Sequence, residues 1–155
     1  MKLVVQRDKN TTLKVNGKLI SEIDFGLVVY FGVGVGDTKE KADYLAKKIS
    51  NLRVFEDENG KMNLSVKDVN GQILAVSQFT LYADTSHGNR PGFTFAEKPE
   101  IAKPLYEYFM EKLKENGVIV KGGVFGADMK IEQLNDGPVT IIYEIYTKKK
   151  SRILA

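Results

Sequence analysis

Leu13-Lys14-Val15-Asn16-Gly17-Lys18-Leu19-Ile20-Ser21 is the stretch that decides the fold class. Apolar, β-favouring residues flank Asn16-Gly17, the dipeptide that most readily adopts the left-handed backbone of a two-residue hairpin turn. A β-hairpin is therefore expected here, preceded by a separate opening strand at Leu3 to Gln6. Downstream, Leu27-Val28-Val29-Tyr30-Phe31 is a nearly unbroken apolar run and reads as a central strand, either buried on both sides or packed against a partner sheet. Strands are also expected at Gln72 to Phe79, Val118 to Val120, Met129 to Leu134 and Val139 to Ile145. Tight turns are expected at Asn59-Gly60 and Gly71.

Two segments carry helical spacing instead. Ala42, Leu45, Ile49 and Leu52 recur at three- and four-residue intervals, with Asp37 as candidate cap and Glu40 completing a capping box. The second helix opens near Pro99, sets Ile101, Leu105, Phe109 and Leu113 on one face, and stops at Asn116-Gly117. Short strands joined by hairpins plus two helices predict an α+β fold, a compact β-barrel-like mixed sheet with two main helices. Residues 82 to 95 have Gly88, Pro91 and Gly92 and no period. That length of irregular chain predicts a loop bordering a site.

Composition bounds the chemistry. The 155 residues amount to one ordinary domain, able to hide about 70% of its unfolded surface. Residues 1–146 form the expected domain, and 147–155, with Lys148-Lys149-Lys150-Ser151-Arg152, a basic C-terminal tail. At 43% hydrophobic and 28% charged the chain is globular, with no apolar run long enough for a membrane span. Arg7 follows Met1 to Gln6 too soon for a signal-peptide core, so a cytoplasmic location is expected. The absence of cysteine removes thiolate chemistry, disulfides and thiolate metal ligands. His87 is the lone histidine, and no metal or other cofactor is expected. The net charge of +3 permits a polyanionic partner without requiring one.

Three places can hold chemistry. Ser77-Gln78-Phe79-Thr80 ends an apolar strand in polar groups, which either find local backbone partners or leave N–H donors for a developing oxyanion. Ser77 lacks a nucleophile elbow, and Thr80 lacks an evident base, so neither makes an activated nucleophile from these parts. Asn135-Asp136-Gly137-Pro138-Val139-Thr140 reads as a stiff turn with exposed carbonyls, because Pro138 fixes φ and removes a donor. Gly122-Gly123-Val124-Phe125-Gly126 places glycines around an aromatic, so either a ligand or a neighbouring subunit comes close to this backbone. Phe125 and Met129 either line a pocket there or belong to the core.

Ser77-Gln78-Phe79-Thr80-Leu81-Tyr82-Ala83-Asp84 and Asn135-Asp136-Gly137-Pro138-Val139-Thr140 together resemble the two signature motifs of D-aminoacyl-tRNA deacylases. The resemblance continues through Val4-Val5-Gln6-Arg7, Asn51-Leu52-Arg53-Val54-Phe55 and Phe125-Gly126-Ala127-Asp128-Met129, over roughly residues 1 to 145. It implies a homodimeric enzyme that hydrolyses the ester between a D-amino acid, or glycine, and the 3′-terminal adenosine of tRNA, sparing L-aminoacyl-tRNA. It implies catalytic positions at Ser77, Gln78, Phe79 and Thr80, and a chiral filter at Gly137-Pro138, in the cis form and reaching into the neighbouring subunit. It also implies that Arg7, Phe125 and Met129 belong to the substrate pocket. Partners are then the acceptor ends of D-aminoacyl-tRNA and glycyl-tRNA, with no DNA and no membrane. Gly92, where the family more often has serine, and Asp8-Lys9-Asn10-Thr11-Thr12 depart from its pattern. A non-catalytic RNA 3′-end binder and a small-molecule D-ester hydrolase are the competing readings.

Overall fold

The computed structural model describes residues 1–146, so the basic tail lies outside the described residues. The Asn16-Gly17 turn forms as the sequence predicts, with φ of +51° and +75° at its two residues. The strands it joins are much longer than expected. The separate opening strand is absent, because β1 runs unbroken over Lys2–Val15 and β2 over Lys18–Gly32.

The chain then crosses through α1 (Lys39–Ser50) and a small hairpin of β3 (Phe55–Glu56) and β4 (Met62–Leu64). It returns as β5 (Gln72–Ser77), which lies parallel to β2 from Gly26↔Gln72 to Phe31↔Ser77. A single 3₁₀ turn, Phe79–Tyr82, leads into the long loop and α2 (Pro99–Glu115). β6 (Ile119–Gly122) is parallel to β5, and β7 (Met129–Glu144) is antiparallel to β1. The main sheet has the order β6-β5-β2-β1-β7, mixed rather than hairpin-built. This order is open: no ladder between β6 and β7 closes the expected barrel among the described residues.

β2 shows why its sequence is continuously apolar. Leu27, Val29 and Phe31 face a core made with Ala42, Leu45 and Ile49 of α1 and Leu105, Phe109 and Leu113 of α2. Val28 points the other way, into a second cluster with Leu13, Ile23, Leu74 and Val76. The alternation of strand side chains thus buries both faces, the first of the two expected arrangements. Phe31 stacks on Phe109 with ring centroids 4.5 Å apart, tying the sheet to α2.

Three local expectations need correction. Asp37 does not cap α1: Thr38 is the N-cap, and no side chain supplies the bond. Asp37 is buried and instead holds the Met1 ammonium at 2.7 Å, Lys41 at 2.8 Å and the Gly34 N–H at 2.7 Å. Ile101 is exposed, and Ala102 and Tyr106 take the inner positions of α2. The two expected C-terminal strands are one, β7, which continues through Gly137-Pro138.

That continuity depends on a wide bulge. Gln6 pairs with Thr140 and Asp8 with Asn135, so Arg7 alone opposes the stretch Asp136-Gly137-Pro138-Val139. A proline, having no N–H to give, is accommodated in a strand at such a bulge.

Candidate active site

β5 ends at Ser77, and its sheet neighbour β2 anchors the next residue, because the Gln78 N–H donates to the Phe31 carbonyl at 2.9 Å. The chain then tightens into the 3₁₀ turn. The first N–H groups of such a turn lack intrahelical acceptors. No hydrogen bond from the N–H of Phe79 or Thr80 is present among the described residues. Phe79 lines a cavity of about 580 Å³, so its N–H lies beside that space.

Val76, Ser77, Gln78 and Phe79 form one wall of this cavity, and Phe125, Gly126, Ala127, Asp128 and Met129 the opposite one. Phe79 is 56% exposed and meets Phe93 edge-on, with centroids 5.0 Å apart. Of the long loop, Phe93 lines this cavity, and Ala96, Glu97 and Lys98, just after the loop, continue that rim. Glu97 accepts the N–H groups of Gly36 and Lys98, both at 3.0 Å, and these bonds hold its carboxyl below the usual range. An ionised acceptor therefore stands at the rim. No motif assigns a role to Phe93 or Glu97, and only the loop's length points to that region.

Thr80 is not among the lining residues. It is exposed, and its hydroxyl receives a hydrogen bond from the Gln78 side-chain amide. That leaves Thr80 Oγ1 without a general base. His87 offers none, since its side chain is 91% exposed and pairs with Ser86 and Asp84 on the loop outside this cavity.

Gly137-Pro138 lies elsewhere. The bond is cis, both residues are exposed, and neither lines the cavity of its own chain. Beneath them Arg7 is almost fully buried, donating from Nε to the Asp136 carbonyl at 3.0 Å and from Nη1 to the Val54 carbonyl at 2.6 Å. The Val139 N–H is capped by Asn135 Oδ1 at 3.0 Å. Gly137 has φ +136°, and a Cβ on it would stand 2.8 Å from Val139 Cγ2 and 3.1 Å from Arg7 Nη2. The turn is thus clamped from inside while its outer surface is free. Arg7 lines no part of the cavity with Phe125 and Met129, which the structure does bring together.

The glycines before Phe125 are crowded by the protein itself. A Cβ on Gly122 would lie 2.8 Å from Met110 Sδ and 3.0 Å from the Tyr106 hydroxyl, and one on Gly123 2.5 Å from Met129 Sδ. Neighbouring side chains of the same chain therefore account for the close approach expected at these two positions.

The family model for D-Tyr-tRNA(Tyr) deacylase matches residues 4–144. That match defines the class, a hydrolase acting on aminoacylated tRNA. A D-aminoacyl-tRNA deacylase of Limosilactobacillus reuteri is 55% identical over 144 residues, covering 93% of this chain and 99% of that protein. A D-aminoacyl-tRNA deacylase of Geobacillus sp. strain WCH70 is 54% identical, over 93% of this chain and 95% of its own. Among solved structures, the c-Myc DNA Unwinding Element Binding Protein superposes with a TM-score of 0.89 at 43% identity, covering 95% of this chain and all of its own. A probable eukaryotic D-amino acid tRNA deacylase shares the fold at TM-score 0.77 and 18% identity, over 93% of this chain and 98% of its own. The chain belongs to the D-aminoacyl-tRNA deacylase family, whose reaction is hydrolysis of the D-aminoacyl ester of tRNA.

Proposed function

We propose that this hydrolysis takes place in the cavity at the end of β5, and that the Gly137-Pro138 turn acts in the cavity of a second copy of the chain. One observation carries the reading. The turn is clamped by Arg7 and exposed, yet absent from its own chain's cavity, so it has a surface to present and no substrate site beside it. A homodimer supplies that site.

In this arrangement Ser77, Gln78 and the Phe79 N–H hold the ester and the terminal adenosine, and Phe125 and Met129 border the nucleoside. Water adds to the acyl carbon, the carbonyl oxygen takes negative charge, and the free strand-end N–H groups stabilise it. Collapse expels the 3′-oxygen, which takes the proton given up by the attacking water and leaves as the terminal hydroxyl. The 2′-hydroxyl beside the ester is the assisting group, since Thr80 is turned to Gln78 and has no base. The partner's turn excludes an L side chain by collision, whereas a D side chain points away and glycine has none. The substrates are therefore D-aminoacyl-tRNA and glycyl-tRNA, with no DNA or membrane partner. Among the described residues no helix is long and apolar enough to cross a membrane.

The test is amino-acid release from D-aminoacyl-, glycyl- and L-aminoacyl-tRNA, and from D-aminoacyl-tRNA ending in 2′-deoxyadenosine. Release is expected from the first two only, with Thr80→Ala retaining activity within about threefold. Equal turnover of the L form would remove the filter, and an inactive Thr80→Ala with a reactive deoxy substrate would make Thr80 the nucleophile. A monomer in sedimentation at micromolar concentration would leave the turn without a cavity to enter.

A further inference from the structure

Tyr106 of α2 is one of the most deeply buried polar side chains in the protein, 3% exposed, and it does not line the cavity. Its hydroxyl nevertheless bonds to the chain just before each of the two cavity walls. It donates to the Ala75 carbonyl at 2.6 Å, two residues before Ser77, and accepts the Gly123 N–H at 3.1 Å, two residues before Phe125. Its ring also packs against that of Phe125, with centroids 6.2 Å apart.

The place of these bonds gives them meaning. Ala75↔Gly122 is the last pair of the β5–β6 ladder, so Gly123 is the first residue the sheet no longer holds. From there to Met129 the one backbone–backbone hydrogen bond among the described residues is a local turn, Ala127 N–H to Val124 O at 3.1 Å. Ser21 Oγ secures the preceding carbonyl, that of Gly122, at 2.6 Å. The β5 wall needs no such help, having ladders on both sides and the Gln78-to-Phe31 bond at its end.

The geometry points to Tyr106 as a positioning residue for substrate binding, its hydroxyl fixing the Gly123–Met129 wall against the strand that carries Ser77. This rests on the reading that Phe125 and Met129 border the terminal nucleoside. One O–H serves as donor and acceptor at once, so its removal leaves the Gly123 N–H without a partner in a half-buried site. The wall then shifts to satisfy it, while the oxyanion donors on the other side stay in place. Binding weakens and the chemical step does not.

Tyr106→Phe keeps the ring and its packing, and removes the oxygen alone. Steady-state kinetics on D-aminoacyl-tRNA should show KM raised about fivefold, the equivalent of one hydrogen bond, with kcat within about twofold and L rejection unchanged. Amide exchange should quicken at Gly123 to Phe125 and not in the helices. Ser21→Ala, acting on the neighbouring peptide, should shift KM the same way by less. Phe125→Ala supplies the control for the underlying reading, and should raise KM on its own. In the double variant with Tyr106→Phe the two effects should fall short of additive. An unchanged KM in Tyr106→Phe beside a raised one in Phe125→Ala overturns the proposal alone. An unchanged KM in Phe125→Ala overturns the nucleoside-wall reading and the proposal with it. A fall in kcat matching a general rise in exchange would reduce Tyr106 to a stability residue and also overturn it.

Discussion

Replacing Arg7 by Lys separates the charge beneath the Gly137-Pro138 turn from the geometry that the charge supports. The guanidinium bridges two peptide carbonyls from different parts of the chain, Val54 at 2.6 Å and Asp136 at 3.0 Å, with the Asp136 carboxylate 3.5 Å from Nε. A lysine ammonium keeps the charge, but as a single point on a flexible stem it reaches one carbonyl and not both. Hydrogen bonds from charged donors contribute about 1.5–3 kcal/mol each, and the abandoned carbonyl loses its partner as well. A destabilisation of about 2–3 kcal/mol is therefore expected, or about 5–10 °C in Tm for a domain of this size. The consequence for selectivity is separate. A filter that works by collision needs a turn that does not yield, and each 1.4 kcal/mol by which yielding becomes easier is worth about tenfold in discrimination. The ratio of D- to L-aminoacyl-tRNA hydrolysis should fall by at least about tenfold in Arg7→Lys, measured at a temperature where the variant is fully folded. Thermal unfolding and paired deacylation assays read the two effects independently. Wild-type Tm with wild-type L rejection would refute the clamp. A lowered Tm with an unchanged D-to-L ratio would show that the stiffness of the turn is not what excludes the L form.

Two further perturbations address neighbouring features. Gly137→Ala forces a side chain onto a residue at φ +136°, against Val139 and Arg7, and should lower stability by about 1–3 kcal/mol while damaging L rejection more than D hydrolysis; an alanine variant with intact rejection would contradict the close fit, and unfolding curves beside the deacylation ratio decide it. Burial raises the Asp8 carboxyl above its ordinary 3.8, against the opposing hydrogen bonds from Gln133 and Thr11, and its Oδ1 has no hydrogen-bond partner among the described residues. The folded state thus holds this proton more tightly than the unfolded one, and the associated stability is full below pH 3.8 and lost as the pH rises through the folded value. Asp8→Asn should flatten that decline in urea unfolding curves collected between about pH 4 and 7, and a slope equal to wild type would rule out Asp8 as its source.

The parts of the fold legible in the sequence are those decided within a few residues. Asn16-Gly17 dictates its hairpin because both residues tolerate positive φ, and the apolar spacing of α1 and α2 dictates which faces turn inward. What depends on distant pairing was not legible. β5 lies parallel to β2 only because a crossover containing α1 brings it there, and no local signal separates a parallel from an antiparallel neighbour. Pro138 looks like the end of a strand, since it cannot donate to a ladder. It becomes the middle of one only because β1 leaves Arg7 alone opposite the bulge.

The candidate site divides along the same line. Ser77 to Phe79 stand out in the sequence because polar groups at the end of an apolar strand are conspicuous wherever the strand lies, and all three line the cavity. Arg7 is as firmly tied to the Gly137-Pro138 turn as any residue here, yet its bond to Asp136 spans 129 positions of sequence, so its motif marked the residue and not its task. Tyr106 had no mark at all. In sequence it is one more aromatic on an amphipathic helix, and only the meeting of Ala75 and Gly123 around its oxygen distinguishes it from core. Residues that carry chemistry are recognisable by type, whereas residues that hold them in place are recognisable only by what the fold brings to them. The positions most open to error in a sequence reading of this enzyme are therefore its supports, and those are where substitutions will be most informative.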